Sequence, residues 1–480
     1  MNLLATPLEH HHFQRFSNSA EIASFLRALT AAAGPYATLE CIGQSAQGRE
    51  ILALVCDAPT LGRTKLRVMM VGSQHGASEA AGCEALLYLA RAVLLGDMQG
   101  LLDDFEFVLI PNANPDGREL DSSRNGNDVN INRDYVLLSQ PESCALDAAV
   151  LRYAPEVVLD AHESASLKRK TLGREGYLTD FEAQFDVANS PALPDAVQRY
   201  TESVLLPALL AEVATHGLRA QRYIREITST RQPITHGGLT VRKFRNKAGL
   251  RGALTVLLET PMEPKADPYP TFRNIGVRAD RQWWCMQSFL TVLKRQRQAI
   301  TRALTQSSHL APRTLLALNA SYIQHTTSPH LTLNLRRRDT YQLEAMQFED
   351  HRAVQVHDYL VLPEAYAITA HTALFASLLA RHQIAFEVIA EPMEAQLEQE
   401  IFKDGEAAEQ GFDVLETRAQ RRRLSAGDLL VPITQGAGRL LPLLLEPRSQ
   451  SSVFRYAPYA RLIEGGKPFF ISRVTSSWDS

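Results

Sequence analysis

The sequence predicts an α/β fold: a mixed, largely parallel sheet flanked by helices, joined to a smaller α+β C-terminal domain. Three observations predict it. Apolar runs at Leu66–Val71, Phe105–Ile110, Glu156–Asp160 and Leu254–Leu258 have the near-continuous hydrophobicity of strands buried on both faces. Helix-length segments separate these runs, the alternation that builds a parallel or mixed sheet. After residues 304–313 the pattern changes to shorter strands with one clear helix, and 480 residues exceed what one ordinary core encloses.

Taken in order, residues 20–33 place Ile22, Phe25, Leu26 and Leu29 on one helical face, and Gly34-Pro35 stops that helix. Thr38–Ile42 and Ile51–Cys56 are short β-type runs around the turn G-Q-S-A-Q-G-R-E. The strand Leu66–Val71 leads into a long helix over 77–95. Phe105–Ile110 ends in P-N-A-N-P-D-G, and residues 143–152 read as a helix. Glu156–Asp160 runs into A-H-E-S. Residues 194–215 form an apolar-faced helix that Pro207 should kink. Leu254–Leu258 ends at Glu259, and 278–304 is a long helix.

Residues 1–305 are thus assigned to the α/β domain and 310–480 to the second. In the latter, strands are expected at Thr314–Leu318, His330–Leu335, Tyr341–Met346, Ala385–Ile389 and 427–435, with a helix at Ala370–His382. The charged stretch 396–424 reads as loops or exposed surface. The apolar segment 438–447 carries Pro442 and is left open between helix and strand.

Composition narrows the function. A net charge of −3 gives no reason to expect nucleic acid or an anionic membrane as a partner. Five scattered cysteines form neither a CxxC pair nor a disulfide framework and read as reduced thiols. No apolar run is long enough for a transmembrane helix, and the first residues lack the pattern of a signal peptide. A cytoplasmic protein is expected.

Ligands of open α/β sheets bind beyond the carboxyl ends of strands. There the four buried runs end in His75 and Glu79; Asn112, Asn114 and Asp116; Asp160 and His162; and Glu259. Two His and one carboxylate, with a position left to water, is the inventory of a catalytic zinc site, and a further carboxylate suits a general base. Asp160 shares a strand face with His162 and reads either as a partner orienting a metal ligand or as a turn cap.

The same residues resemble the zinc carboxypeptidases of the M14 type over about residues 15–300. I-G-Q-S-A-Q-G-R-E-I (42–51) is similar to that family's G-x-S-x-x-G-R-x-I hairpin, and Q-H-G-A-S-E-A-A-G to its His-Gly-x-Glu motif. The sharpest likeness is I-P-N-A-N-P-D-G-R-E-L-D-S-S-R-N-G-N-D-V-N-I-N-R-D-Y (110–135), which matches three linked sub-motifs in order. V-V-L-D-A-H-E and L-T-V-L-L-E-T resemble the family's D-x-H segment and its late strand with the catalytic Glu. The resemblance implies that His75, Glu79 and His162 hold Zn2+. It gives Glu259 the tasks of activating the attacking water and protonating the leaving amine. Arg124 would polarise the scissile carbonyl, while Asn132 and Arg133 bind the terminal carboxylate of a peptide substrate.

Three departures accompany the match. His75 and Glu79 are four apart instead of the family's three, and Gly82 and Glu84 also fall one place late, which reads as an insertion in the turn. The family's substrate-capping Tyr has no obvious counterpart in 227–240; Tyr223 and His236 are the replacements at hand. F-R-N-K-A-G-L-R-G (244–252) carries three positive charges that either select an acidic substrate side chain or form a solvated basic loop. The stretch 427–449 looks like the appended domain of some bacterial members, an interaction or substrate-shaping module. The expected activity is removal of a C-terminal residue from a peptide. The competing readings are a zinc amidohydrolase acting on N-acyl amino acids and a binding protein with a degenerate metal site.

Overall fold

The computed structural model describes residues 4–59, 64–164, 172–262, 274–307, 310, 313–403 and 412–475. Among these, eight strands form one mixed sheet. Its order across the sheet is Ala37–Gln44, Glu50–Cys56, Phe105–Ile110, Leu66–Gly72, Val157–Ser164, Leu254–Pro261, Ala183–Val187 and Ala220–Arg222. The four central strands, from Phe105–Ile110 to Leu254–Pro261, run parallel. Glu50–Cys56 and Ala183–Val187 flank them antiparallel.

The central strands are buried on both faces, and the two-residue period of a strand divides their side chains between two cores. Val68 and Met70 join the cluster formed with the helices Ser19–Ala33, Ala81–Leu95 and Ile275–Ser307. Met69 and Val71 join the opposite cluster, with Tyr135, Leu146 and Phe244. Period-2 alternation is therefore invisible as polarity here, because both sets of positions are apolar.

From Leu66–Gly72 the chain crosses to Phe105–Ile110 on one side, then returns to Val157–Ser164 on the other. This reversal is a topological switch point, which opens a crevice at the carboxyl ends of the two strands. The crevice is where His75 and His162 emerge.

Several elements differ from expectation, each for a physical reason. The helix predicted over 77–95 is two pieces, a 3-10 turn at Gly76–Glu79 and a helix at Ala81–Leu95. The helix predicted over 194–215 is interrupted by a π turn at Thr201–Leu205, just ahead of Pro207, whose ring nitrogen cannot donate back along the helix. The charged stretch 396–424 contains a long antiparallel pair, Met393–Phe402 with Val414–Leu424; the outer strand is almost wholly exposed, while 404–411 lies outside the described residues. The open segment 438–447 holds the short buried helix Leu440–Leu445.

The C-terminal part contains a six-stranded antiparallel sheet covered by the helix Thr372–Arg381. Its core is continuous with the first part: Leu316, Leu360 and Leu441 share a cluster with Val136, Ala188 and Leu250. The strand His330–Arg337 also pairs with Tyr177–Thr179. No helix among the described residues is long and apolar enough to cross a membrane.

Candidate active site

The Leu66–Gly72 strand ends in Ser73-Gln74-His75, and Gly76 turns the chain with φ of +52°. A Cβ at Gly76 would run into the backbone of Gly117 and Ser122, so the residue after His75 has to be glycine. The 3-10 turn Gly76–Glu79 then absorbs one residue more than a direct entry into the helix would need. Glu79 consequently returns to face His75, and its Oε1 lies 2.6 Å from His75 Nδ1.

His162 comes from the neighbouring strand. Its Nδ1 lies 2.7 Å from the other carboxylate oxygen, Glu79 Oε2. One carboxylate thus sits between two imidazoles, and ligand-type atoms of His75, Glu79 and His162 all fall within 4.8 Å of one another. Burial alone would raise the Glu79 carboxyl, but the charges of His75 and His162 prevail and hold it well below the usual carboxylate range. Burial likewise opposes protonation of His162, yet Asp160 and Glu79 overcome it and push the imidazole well above its ordinary value.

Behind His162 stands a chain of support. His162 Nε2 is 3.0 Å from Asp160 Oδ1. Gln74 Nε2 donates to that same oxygen at 2.6 Å, and the Tyr135 hydroxyl donates to Gln74 Oε1 at 2.9 Å. A carboxylate at Nε2 favours the tautomer that leaves Nδ1 free as a ligand, the arrangement that orients histidines at metal sites. Two imidazole nitrogens and a carboxylate, converging at a crevice with one histidine backed by Asp160, are a donor set that fits a zinc-type divalent ion.

Glu259 lies directly opposite His162 in the parallel register of their strands. Burial, with the Glu79 charge adding to it, raises the Glu259 carboxyl to about 7. His75, Glu79 and Glu259 share the wall of one cavity with Arg133, Tyr223, Arg225 and Lys243.

The other expected residues take different places. Asn132 is buried and does not line the cavity: its Oδ1 accepts from the Phe244 amide at 3.0 Å, and its Nδ2 lies 3.1 Å from His162 Nε2. Arg124 is exposed and donates to the Asp128 carbonyl at 2.7 Å, apart from the cavity wall. Of the two stand-ins for a capping residue, Tyr223 is on the wall. His236 is buried behind it, with Nδ1 2.7 Å from the Tyr223 carbonyl oxygen.

The basic stretch 244–252 is not a solvated loop. Phe244–Leu250 is a wholly buried helix; Arg245 pairs with Asp186 at 3.0 Å, Arg251 pairs with Asp147 at 2.8 Å, and Lys247 Nζ lies 2.6 Å from His382 Nδ1. None of the three lines the cavity. Besides Arg133, the cations that do, Arg225 and Lys243, come from the 220–243 region, where no regular pattern singles them out. Gln184 holds that region in place, its Oε1 accepting the Ile224 amide at 2.9 Å.

Residues 22–146 match the family model described as zinc carboxypeptidase. A carboxypeptidase 2 of Trichophyton rubrum is 25% identical over 205 residues, which are 41% of this chain and 37% of that one. Carboxypeptidase D of Drosophila melanogaster is 28% identical over 139 residues, 25% of this chain and 10% of that protein. A metallo-carboxypeptidase of Burkholderia cenocepacia superposes with a TM-score of 0.45 at 18% identity, covering 57% of this chain and 69% of that one. The chain spans 37–38% of the length of the curated fungal relatives it matches.

Proposed function

We propose that this chain, a member of the zinc carboxypeptidase family through residues 22–146, is a metallopeptidase that removes the C-terminal residue of a peptide. The observation that carries the reading is the cluster of His75, Glu79 and His162 at one sheet edge, with His75, Glu79 and Glu259 on the wall of a cavity that also receives Arg133.

In this reading His75 and His162, through Nδ1, and Glu79, through its carboxylate, hold a zinc ion. When bound, such an ion supplies Lewis acidity to a carbonyl and to water. Glu259 is the proton carrier: its carboxylate accepts a proton from the attacking water and returns it to the amine that leaves. Arg133 offers the planar donor fork that a terminal carboxylate fits, and so sets the scissile bond at the reacting end of the cavity. Asn132 acts indirectly, its Oδ1 accepting the Phe244 amide and so fixing the start of the Phe244–Leu250 helix. Tyr223, on the wall, is the residue able to close over bound substrate. Arg124, whose guanidinium donates to the Asp128 carbonyl, is given no role in this reading.

The test compares the zinc-loaded protein on blocked dipeptides and on N-acyl amino acids, with Glu259→Gln as the control. Dipeptide hydrolysis that Glu259→Gln reduces by at least about 100-fold, with zinc content unchanged, supports the reading. Turnover of N-acyl amino acids alone moves the protein to the amidohydrolases. No turnover of either substrate class removes the enzymatic reading.

A further inference from the structure

The cavity carries more positive charge than one terminal carboxylate requires. Arg133, Lys243 and Arg225 all line it. Its four carboxylates are otherwise engaged or turned outward. Glu79 lies between the two histidines. Glu163 is held in a two-point pair by Arg278, at 2.7 and 2.8 Å. Glu259 faces the reacting end, and Glu226 is exposed.

Lys243 is the unusual member. Its side chain is half-buried, and no carboxylate among the described residues lies within ion-pair distance of it. Burial, reinforced by Arg133 and Arg245, lowers its ammonium to about 7, with Glu259 only partly compensating. A half-buried cation among other cations is unfavourable, and a second anion brought by a ligand would relieve it. The three cations of 244–252 cannot take that anion, because they are spent on Asp186, Asp147 and His382 inside the protein.

We propose that Lys243, with Arg225 at the rim, is the specificity element for an acidic C-terminal residue, so that the substrate ends in Glu or Asp. The assignment rests on the metallopeptidase reading for its reaction, but not for its binding chemistry. Arg133 takes the α-carboxylate and Lys243 the side-chain carboxylate. A carboxamide of the same shape leaves the ammonium unpaired, so discrimination against Gln follows from charge and not from size.

The experiment uses the full zinc-loaded chain and blocked dipeptides ending in Glu, Gln, Leu and Lys, on the native protein and on Lys243→Met and Lys243→Glu. Binding of the corresponding free peptides is measured by calorimetry in parallel. The native protein is expected to favour Glu over Gln by at least about 10-fold in kcat/KM and in affinity. Lys243→Met should bring the two within about 3-fold, by losing Glu while keeping Gln. Lys243→Glu should move the preference to Lys. Equal use of Glu and Gln by the native protein, or a ratio that Lys243→Met leaves unchanged, overturns the proposal. If no dipeptide is cleaved, the peptidase reading falls on its own. The binding arm then still decides: Glu-selective affinity lost in Lys243→Met upholds the anion site, and equal affinities refute it.

Discussion

Removing the Asp160 carboxylate should weaken metal binding in two steps of different size. Asp160 Oδ1 is a shared acceptor, 3.0 Å from His162 Nε2 and 2.6 Å from the Gln74 amide nitrogen, at a residue with 1% exposure. Asp160→Asn can keep an oxygen in that place and lose only the charge. Asp160→Ala removes the acceptor and strands both donors in a dry site. Partners of this kind are worth about 10–100-fold in metal affinity, or about 1.4–2.7 kcal/mol at 1.36 kcal/mol per tenfold. Asp160→Asn is expected near the lower limit and Asp160→Ala near or beyond the upper one. The assay is competition for zinc against a chromophoric chelator, with a thermal melt of each metal-free variant to show that it is folded. Affinities unchanged in both folded variants would refute the reasoning, because His162 Nδ1 would not then be a ligand oriented from its far side.

Three further outcomes follow from the same geometry. Arg124→Ala should leave kcat/KM within about 3-fold of native, since the guanidinium serves its own loop; a loss of the size seen for an oxyanion donor, about 100-fold or more, would return Arg124 to the reacting carbonyl. Glu84 is fully buried and paired with Arg118, and it also accepts from the Ser17 amide and hydroxyl at 2.9 and 2.7 Å. Glu84→Ala should therefore cost about 3–5 kcal/mol in denaturant unfolding, by stranding Arg118. The Lys247–His382 pair should make stability rise with pH. Burial, with the nearby Arg251 charge, lowers Lys247 to about 7, against an unfolded value of about 10.4, so the unfolded chain binds the extra proton between those limits. His382, lowered by burial and by Lys247, adds the same sign below about 6.5. Lys247→Met should flatten the rise between pH 7 and 10, by an amount on the order of a few kcal/mol; an unchanged slope would show that the pair is not the source.

Much of this architecture was legible in the sequence because the central strands are near-continuous apolar runs with polar residues at their carboxyl ends. Register turns that one-dimensional fact into a site: Gly72 pairs with Ala161 and His162 with Glu259, so residues nearly 200 positions apart meet at one edge. The extra residue between His75 and Glu79 was readable as an insertion. Its accommodation was not, because that depends on the positive φ of Gly76 and a 3-10 turn.

Other features left no usable signal. Phe244–Leu250 has no amphipathic stripe because every residue in it is buried, and its cations find partners 59 and 135 residues away. Val414–Leu424 reads as a charged loop because both faces of that strand meet solvent along most of its length and it is held mainly by backbone pairing with Met393–Phe402. Lys243 and Tyr223 sit in irregular chain, so their convergence on the cavity is a property of the fold alone.

The most direct test of the central claim is the zinc content of the purified, untagged chain, beside His75→Ala and Glu79→Ala. About one zinc per native chain, lost in both variants, is the expected result, since a catalytic site of this type uses all three protein ligands. A native chain that takes up no zinc when the metal is supplied, or a Glu79→Ala variant that keeps it, would contradict the account.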